Sequence, residues 1–169
     1  MKTAIIHSNS YEKHTTGDGH PEQPKRVIAI KEKLKKRKDL LWEKPGQVPA
    51  DILALTHSKE YIDNLKNSFP QKGLKFLDGD TVVSPESKQA VFDAAGSTIK
   101  AIDGIENNQF KNAFCLARPP GHHAEKNKAM GFCCISNAGV ATNYLIDKYK
   151  YQRIACVDFD VHWGNGNYD

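Results

Sequence analysis

This sequence has no apolar run approaching the roughly 20 residues that a membrane-spanning helix needs, and so offers no candidate for one. Cysteine is scarce. The four that occur, Cys115, Cys133, Cys134 and Cys156, include no C-x-x-C pair, and two are adjacent. That spacing excludes a disulfide framework or a structural zinc knot, and three of the four lie in or beside apolar runs, where cysteine behaves as a small hydrophobe. An intracellular, cytoplasmic location follows by default. The N-terminus Met1-Lys2-Thr3-Ala4-Ile5-Ile6-His7 has only a short apolar stretch and no small-residue cleavage site, so it reads as a first strand and not as a signal peptide. Neither sign of charge dominates: 24 Lys and Arg against 20 Asp and Glu leave a net charge of +4. The one basic concentration, Lys31 to Lys38, has no interleaved aromatics and reads as the solvated face of an amphipathic helix, not as a nucleic-acid patch. There is no internal repeat and no low-complexity linker.

What is present suits a folded domain, since 169 residues with 39% hydrophobic content are enough for one core. Thr3 to Ile6 reads as a strand. His20-Pro21-Glu22-Gln23-Pro24 is a punctuated loop, followed by a helix with Val27, Ile30 and Leu34 on one face. Pro49 to Asn67 predicts two short helices around His57 and Tyr61. Ser84-Pro85-Glu86 predicts a helix start, with the serine as N-cap and the proline in the first position. Its stripe is Val91, Ala94, Ala95, Thr98, Ile102 and Ile105. A strand is expected at Ala113 to Ala117 and a helix capped by Ser136, carrying Val140, Ala141, Tyr144 and Leu145. Ile154-Ala155-Cys156-Val157 predicts a strand buried on both faces. Strands alternating with helices imply an α/β fold with a mainly parallel sheet.

Ligands of such sheets bind outside the carboxyl ends of the strands, and the polar clusters of this chain follow the strands. His7 follows the first. Arg118-Pro119-Pro120-Gly121-His122-His123-Ala124 follows the second, its rigid turn aiming two imidazoles into one space. Such a pair can act as general base and general acid near neutral pH. Asp158-Phe159-Asp160-Val161-His162 follows the third. In an extended chain Asp158, Asp160 and His162 share one face. Asp160 and His162 can then reach a single cation, and an oxygen with an imidazole nitrogen suits zinc. Asp158 is placed to orient a histidine. The alternative is a strand end whose aspartates cap backbone amides in a turn.

Together these segments resemble the histone deacetylase family, with its bacterial deacetylase and acetylpolyamine amidohydrolase relatives. The carriers are R-P-P-G-H-H-A at 118–124, Gly131-Phe132-Cys133 with Asn137-Ala138, Asp158-Phe159-Asp160-Val161-His162 with Gly164-Asn165-Gly166, and a loop holding His14, Gly17, Gly19-His20-Pro21-Glu22, Pro24 and Arg26. Leu77-Asp78-Gly79-Asp80-Thr81 resembles the loop before the long helix. The resemblance implies a three-layer open, mainly parallel sheet with helices on both faces, of the arginase/deacetylase kind. It implies hydrolysis of an acetyl or other acyl amide, on an acetylated protein or a small acetylated amine, with release of acetate. Asp160 and His162 are then two zinc ligands. His123 is the base and later the acid, oriented by Asn165. His122 assists electrostatically, oriented by Asp158. Gly131 and Phe132 line the channel for an acyl-lysine-like chain, and Asp80, with Asp78 as its alternative, holds substrate at the rim. Asp158, together with backbone oxygens of Asp160 and His162, is expected to hold a structural potassium or sodium ion.

The pattern has departures. Trp163 stands where a second histidine often follows the ligand histidine, and Asn167-Tyr168-Asp169 replaces the usual Thr-Gln. The resemblance implies that residues 1–169 form the N-terminal portion of a single deacetylase domain, without the family's second ligand aspartate and oxyanion tyrosine. The expectation is weak zinc binding and no activity for the chain alone. A binding remnant is the competing reading. An arginase-like two-metal site is disfavoured because Gly164 stands where a D-x-H-x-D pattern needs an acid. A nucleic-acid partner is not expected.

Overall fold

The structure is a computed structural model that describes residues 2–168. Its elements in chain order are β1 (Thr3–Ile6), α1 (Ser10–Lys13), α2 (Lys25–Leu34), β2 (Leu40–Glu43), α3 (Ala50–Thr56), α4 (Lys59–Ser68), β3 (Lys75–Phe76), β4 (Val82–Val83), α5 (Ser87–Glu106), β5 (Asn112–Cys115), α6 (Asn137–Tyr149) and α7 (Asn165–Tyr168). The sheet order is β2-β1-β5, and both pairings are parallel. A separate antiparallel hairpin joins β3 and β4.

Strand alternation divides β1 between two packing clusters. Ile5 points among Tyr11 of α1, Val27 of α2, and Ala90 and Ala94 of α5. Ala4 and Ile6 point among Phe110 and Ala101. Helices therefore cover both faces of a parallel sheet, as the alternation of the sequence predicts. The largest cluster joins α3, α4, α5 and α6 through Ile52, Leu53, Ile62, Leu65, Val91, Ile99, Val140 and Tyr144. No helix among the described residues is long and apolar enough to cross a membrane.

Local expectations meet mixed outcomes. Ser136 caps α6 by accepting the Gly139 N–H at 3.2 Å. Ile30 of α2 is exposed while Val27 is buried, because Ile30 lies at the margin of the stripe that Val27 and Leu34 define. The long helix begins at Ser87, and Ser84 does not cap it. The Ser84 hydroxyl bonds the Ser87 hydroxyl at 2.9 Å and accepts the Thr15 N–H at 3.3 Å, which ties it to the N-terminal loop instead. Ile154-Ala155-Cys156-Val157 is not a buried strand. It pairs with no strand among the described residues, and Val157 is 81% exposed. Its apolar pattern suits a central strand, but a strand without ladder partners has nothing to bury that pattern against.

Past β5 the chain carries Arg118 into the interior, where it is 1% exposed. Its Nε and Nη2 donate to the two carboxylate oxygens of Glu22 at 2.6 and 2.7 Å. Its Nη1 donates to the carbonyls of Tyr11 at 2.5 Å and His14 at 2.9 Å. Glu22 is equally buried. His14 lies alongside, its Nδ1 2.7 Å from the Ser87 hydroxyl. Burial, helped by the Arg118 charge, pushes the His14 imidazole down to about 4 from its ordinary 6.5.

Two outcomes are expected. Glu22→Ala leaves a guanidinium buried without its carboxylate, which should cost about 3–5 kcal/mol in a urea unfolding titration. A loss of about 0–1 kcal/mol, as for a surface pair, would contradict the assignment. For His14 the folded chain resists protonation, so the unfolded state binds more protons between about pH 4 and 6.5. Its contribution is complete above that window and disappears as pH falls through it, by about 3 kcal/mol in total. Unfolding titrations across the window should show this slope, and His14→Gln should flatten it.

Candidate active site

The turn after β5 places His122 and His123 with ring centroids 4.0 Å apart. Each ring has its Nδ1 engaged from behind. His122 Nδ1 lies 3.0 Å from Asp158 Oδ2, and His123 Nδ1 lies 2.6 Å from Asn165 Oδ1. A carboxylate only accepts, so His122 donates through Nδ1 and its Nε2 is left for chemistry. The Asp158 carboxyl is held below its ordinary range by the Asp160 N–H and by His122. Asn165 opens α7, which is docked on the turn by a Gly166 N–H bond to the His122 carbonyl at 2.8 Å. Only glycine fits at 166, where a Cβ would stand 2.2 Å from the Ala124 carbonyl oxygen.

Both imidazoles line a cavity of about 340 Å³, shared with Pro21, Glu22, Arg26, Asp80, Pro120, Gly131, Phe132, Asp160 and His162. The wall opposite the turn is built under constraint. Gly131 and Phe132 both have left-handed backbones, with φ of 55° and 69°. A Cβ on Gly131 would meet His123 Cδ2 at 2.4 Å, so glycine lets the wall approach the ring. A bulky residue at positive φ costs on the order of 1–3 kcal/mol, and Phe132 is held there from two sides. Its N–H donates to Thr81 Oγ1 at 3.1 Å, and the His20 ring stands edge-on at 4.9 Å. His20 Nδ1 lies 3.1 Å from both the N–H and the carbonyl of Glu22, and its Nε2 donates to the Asp80 carbonyl, which can only accept, at 3.1 Å. Asp78 accepts the Asp80 N–H at 2.9 Å, and of the two acids Asp80 lines the cavity.

Asp160 and His162 reach the same cavity, but not along a pleated strand. Asp158 Oδ1 accepts the Asp160 N–H at 3.1 Å, and Asp160 Oδ1 accepts the His162 N–H at 2.8 Å. These are successive Asx turns, so the strand-face argument is replaced by turn geometry. The two potential donor atoms, Asp160 Oδ1 and His162 Nδ1, lie 3.0 Å apart. The two atoms bond each other at that distance; a carboxylate oxygen and an imidazole nitrogen side by side are donor types that a divalent cation takes. Among the described residues no group of three or more His, Cys, Asp or Glu side chains is arranged to hold a metal. Trp163 points to Tyr168, with ring centroids 5.8 Å apart.

The structure thus brings His122, His123, Asp80, Gly131, Phe132, Asp160 and His162 to one cavity, with Asp158 and Asn165 behind the histidines. Sequence reasoning did not identify His57 or Glu125. His57 accepts the Ser136 N–H through Nε2 at 3.0 Å and so donates through Nδ1 to the Glu125 carbonyl at 2.9 Å. The position of Glu125 two residues after the pair was the available signal for it; His57 had none.

A family model described as Histone deacetylase domain matches residues 20–169. The Synechocystis protein slr0245 is 40% identical over 96% of this chain and 55% of its own length. A probable deacetylase of Methanothermobacter thermautotrophicus is 34% identical, over 96% of this chain and 48% of its own. Among solved structures, the HDA15 HD domain superposes with a TM-score of 0.88 at 31% identity, covering 99% of this chain and 49% of that one. The chain spans about half the length of these relatives. By the extent of the matched domain and by these identities, the chain belongs to the histone deacetylase family.

Proposed function

We propose that this chain carries the acid–base side, and part of the metal side, of a zinc-dependent hydrolase of acyl amides. The proposed substrate is acetyl-lysine in a protein or a small acetylated amine, and acetate is released. The observation that carries this reading is the pair of adjacent imidazoles on one cavity wall, each with Nδ1 engaged by Asp158 or Asn165. Such an arrangement frees Nε2 of His123 to take a proton from water and return it to the leaving amine. His122 and Asp158 support charge beside it. Phe132 and Gly131 form a wall for an aliphatic stem, and Asp80 meets polar groups at the rim.

Asp160 and His162 would hold the zinc ion, as two of the three protein ligands that a catalytic site uses. The chemistry zinc supplies is polarisation of a carbonyl and acidification of water. Asp158, with backbone oxygens of Asp160 and His162, is the proposed monovalent-cation site. A second reading is favoured by the two-ligand set among the described residues: a pocket that binds the acylated chain without hydrolysing it.

Calorimetric zinc titration should give weak binding that Asp160→Ala and His162→Ala each abolish; binding unchanged in both variants would remove them as ligands. Incubation with an acetyl-lysine peptide separates the two readings. Acetate release that falls by about 10²–10⁴-fold in His123→Ala supports the hydrolase. Peptide binding without release supports the second reading, and neither binding nor release contradicts both.

A further inference from the structure

His122 and His123 have chemically different partners. The Asp158 carboxylate can only accept, so it fixes the His122 tautomer by itself. Asn165 cannot. Its amide presents an oxygen on one side and an NH₂ of nearly the same shape on the other. With the oxygen toward His123, Nδ1 carries the proton and Nε2 is free to accept one. With the amide turned over, an N–H would face Nδ1, the ring proton would move to Nε2, and His123 could no longer act as a base. Something other than Asn165 must choose between the two orientations.

The far end of that amide shows what does so. Asn165 Nδ2 lies 2.7 Å from Glu125 Oε1, 3.4 Å from the His123 carbonyl oxygen and 3.4 Å from Met130 Sδ. All three are acceptors. Turning the amide would set its oxygen against a carboxylate, a carbonyl and a thioether. The carboxylate contact is the shortest and the only charge-assisted one, so it contributes most to the choice. Glu125 is also well held. Its N–H donates to the Lys128 carbonyl at 3.0 Å. Its own carbonyl receives the His57 Nδ1–H, whose direction is set by the Ser136 N–H on the other ring nitrogen.

We propose that Glu125 is a positioning residue: it orients the Asn165 amide and thereby fixes the Nδ1–H tautomer of His123, leaving Nε2 as the proton acceptor. This rests on the reading of His123 as the base. It assigns a specific task to the acid that follows the histidine pair, a task that an aspartate in place of Asn165 would make unnecessary.

The test uses the whole chain labelled with ¹⁵N and long-range ¹H–¹⁵N imidazole spectra at alkaline pH, where histidines are neutral. The parent chain should show a protonated Nδ1 and an unprotonated Nε2 for His123. In Glu125→Ala the two nitrogen shifts should move toward each other as the tautomers mix, while Glu125→Gln, which keeps an acceptor oxygen, should restore the parent pattern. His57 reaches residue 125 through the backbone carbonyl, which the substitutions leave in place, so its Nδ1–H pattern serves as the folding control. If the alanine variant loses that pattern, Glu125→Leu, which keeps side-chain bulk without an acceptor, takes its place with the same expected mixing. A parent tautomer retained in the acceptor-free variant, while Asn165→Ala disturbs it, overturns the role of Glu125 and leaves Asn165 as the partner. An undisturbed tautomer in Asn165→Ala overturns the underlying reading of the site, and the proposal with it.

Discussion

The buried contact between Arg118 and Glu22 organises this chain. A guanidinium taken out of water needs its donors satisfied and its charge matched, or the cost is several kcal/mol. Arg118 meets that need with both oxygens of Glu22 and with the carbonyls of Tyr11 and His14. Those partners lie about a hundred residues earlier in the chain. The contact therefore closes the N-terminal loop over the end of β5 and sets where the next residues, the histidine pair, can stand. Loop and turn cannot shift independently without unpairing a charge. The same loop, through Glu22 and His20, reaches Asp80 and Phe132 on the opposite wall. One ion pair thus supports both sides of the cavity.

Two strands of the sheet, β1 and β5, and most helices were legible because their signals are periodic and local. β1, the two helices around His57 and the Ser136 cap follow from pattern and capping chemistry alone. β2 and the β3–β4 hairpin were not legible: every residue of β2 is half-buried, so it carries no alternation, and two-residue strands are too short to show any. Ser84 misled for a different reason: a good capping residue can be claimed by a distant partner, here Ser87 and Thr15. At Ile154–Val157 the composition describes a strand, but pairing is a property of neighbours that composition does not carry.

The site was legible as chemistry and less so as geometry. The residue types at 122, 123, 158, 160 and 162 give an acid–base pair, an orienting aspartate and two metal ligands as expectations, and the resemblance adds Asn165 behind His123; the structure brings these side chains together. That Asp160 and His162 meet through Asx turns follows from backbone N–H groups that no side-chain pattern describes. Gly131 was assigned to the channel by its motif, but its physical reason, that a Cβ there would stand 2.4 Å from His123 Cδ2, is steric and visible only in three dimensions.

The exposed run from Val157 to Trp163 also sets how the chain behaves in bulk. Val157, Phe159, Val161 and Trp163 are between 72% and 96% exposed and alternate with polar residues. No proline interrupts the run, and Asp158 and Asp160 are the charged residues that separate its apolar members. The basic concentration of the chain, Lys31 to Lys38, lies far from this segment in the sequence. Apolar side chains held this far into water favour contact with another apolar surface over continued hydration.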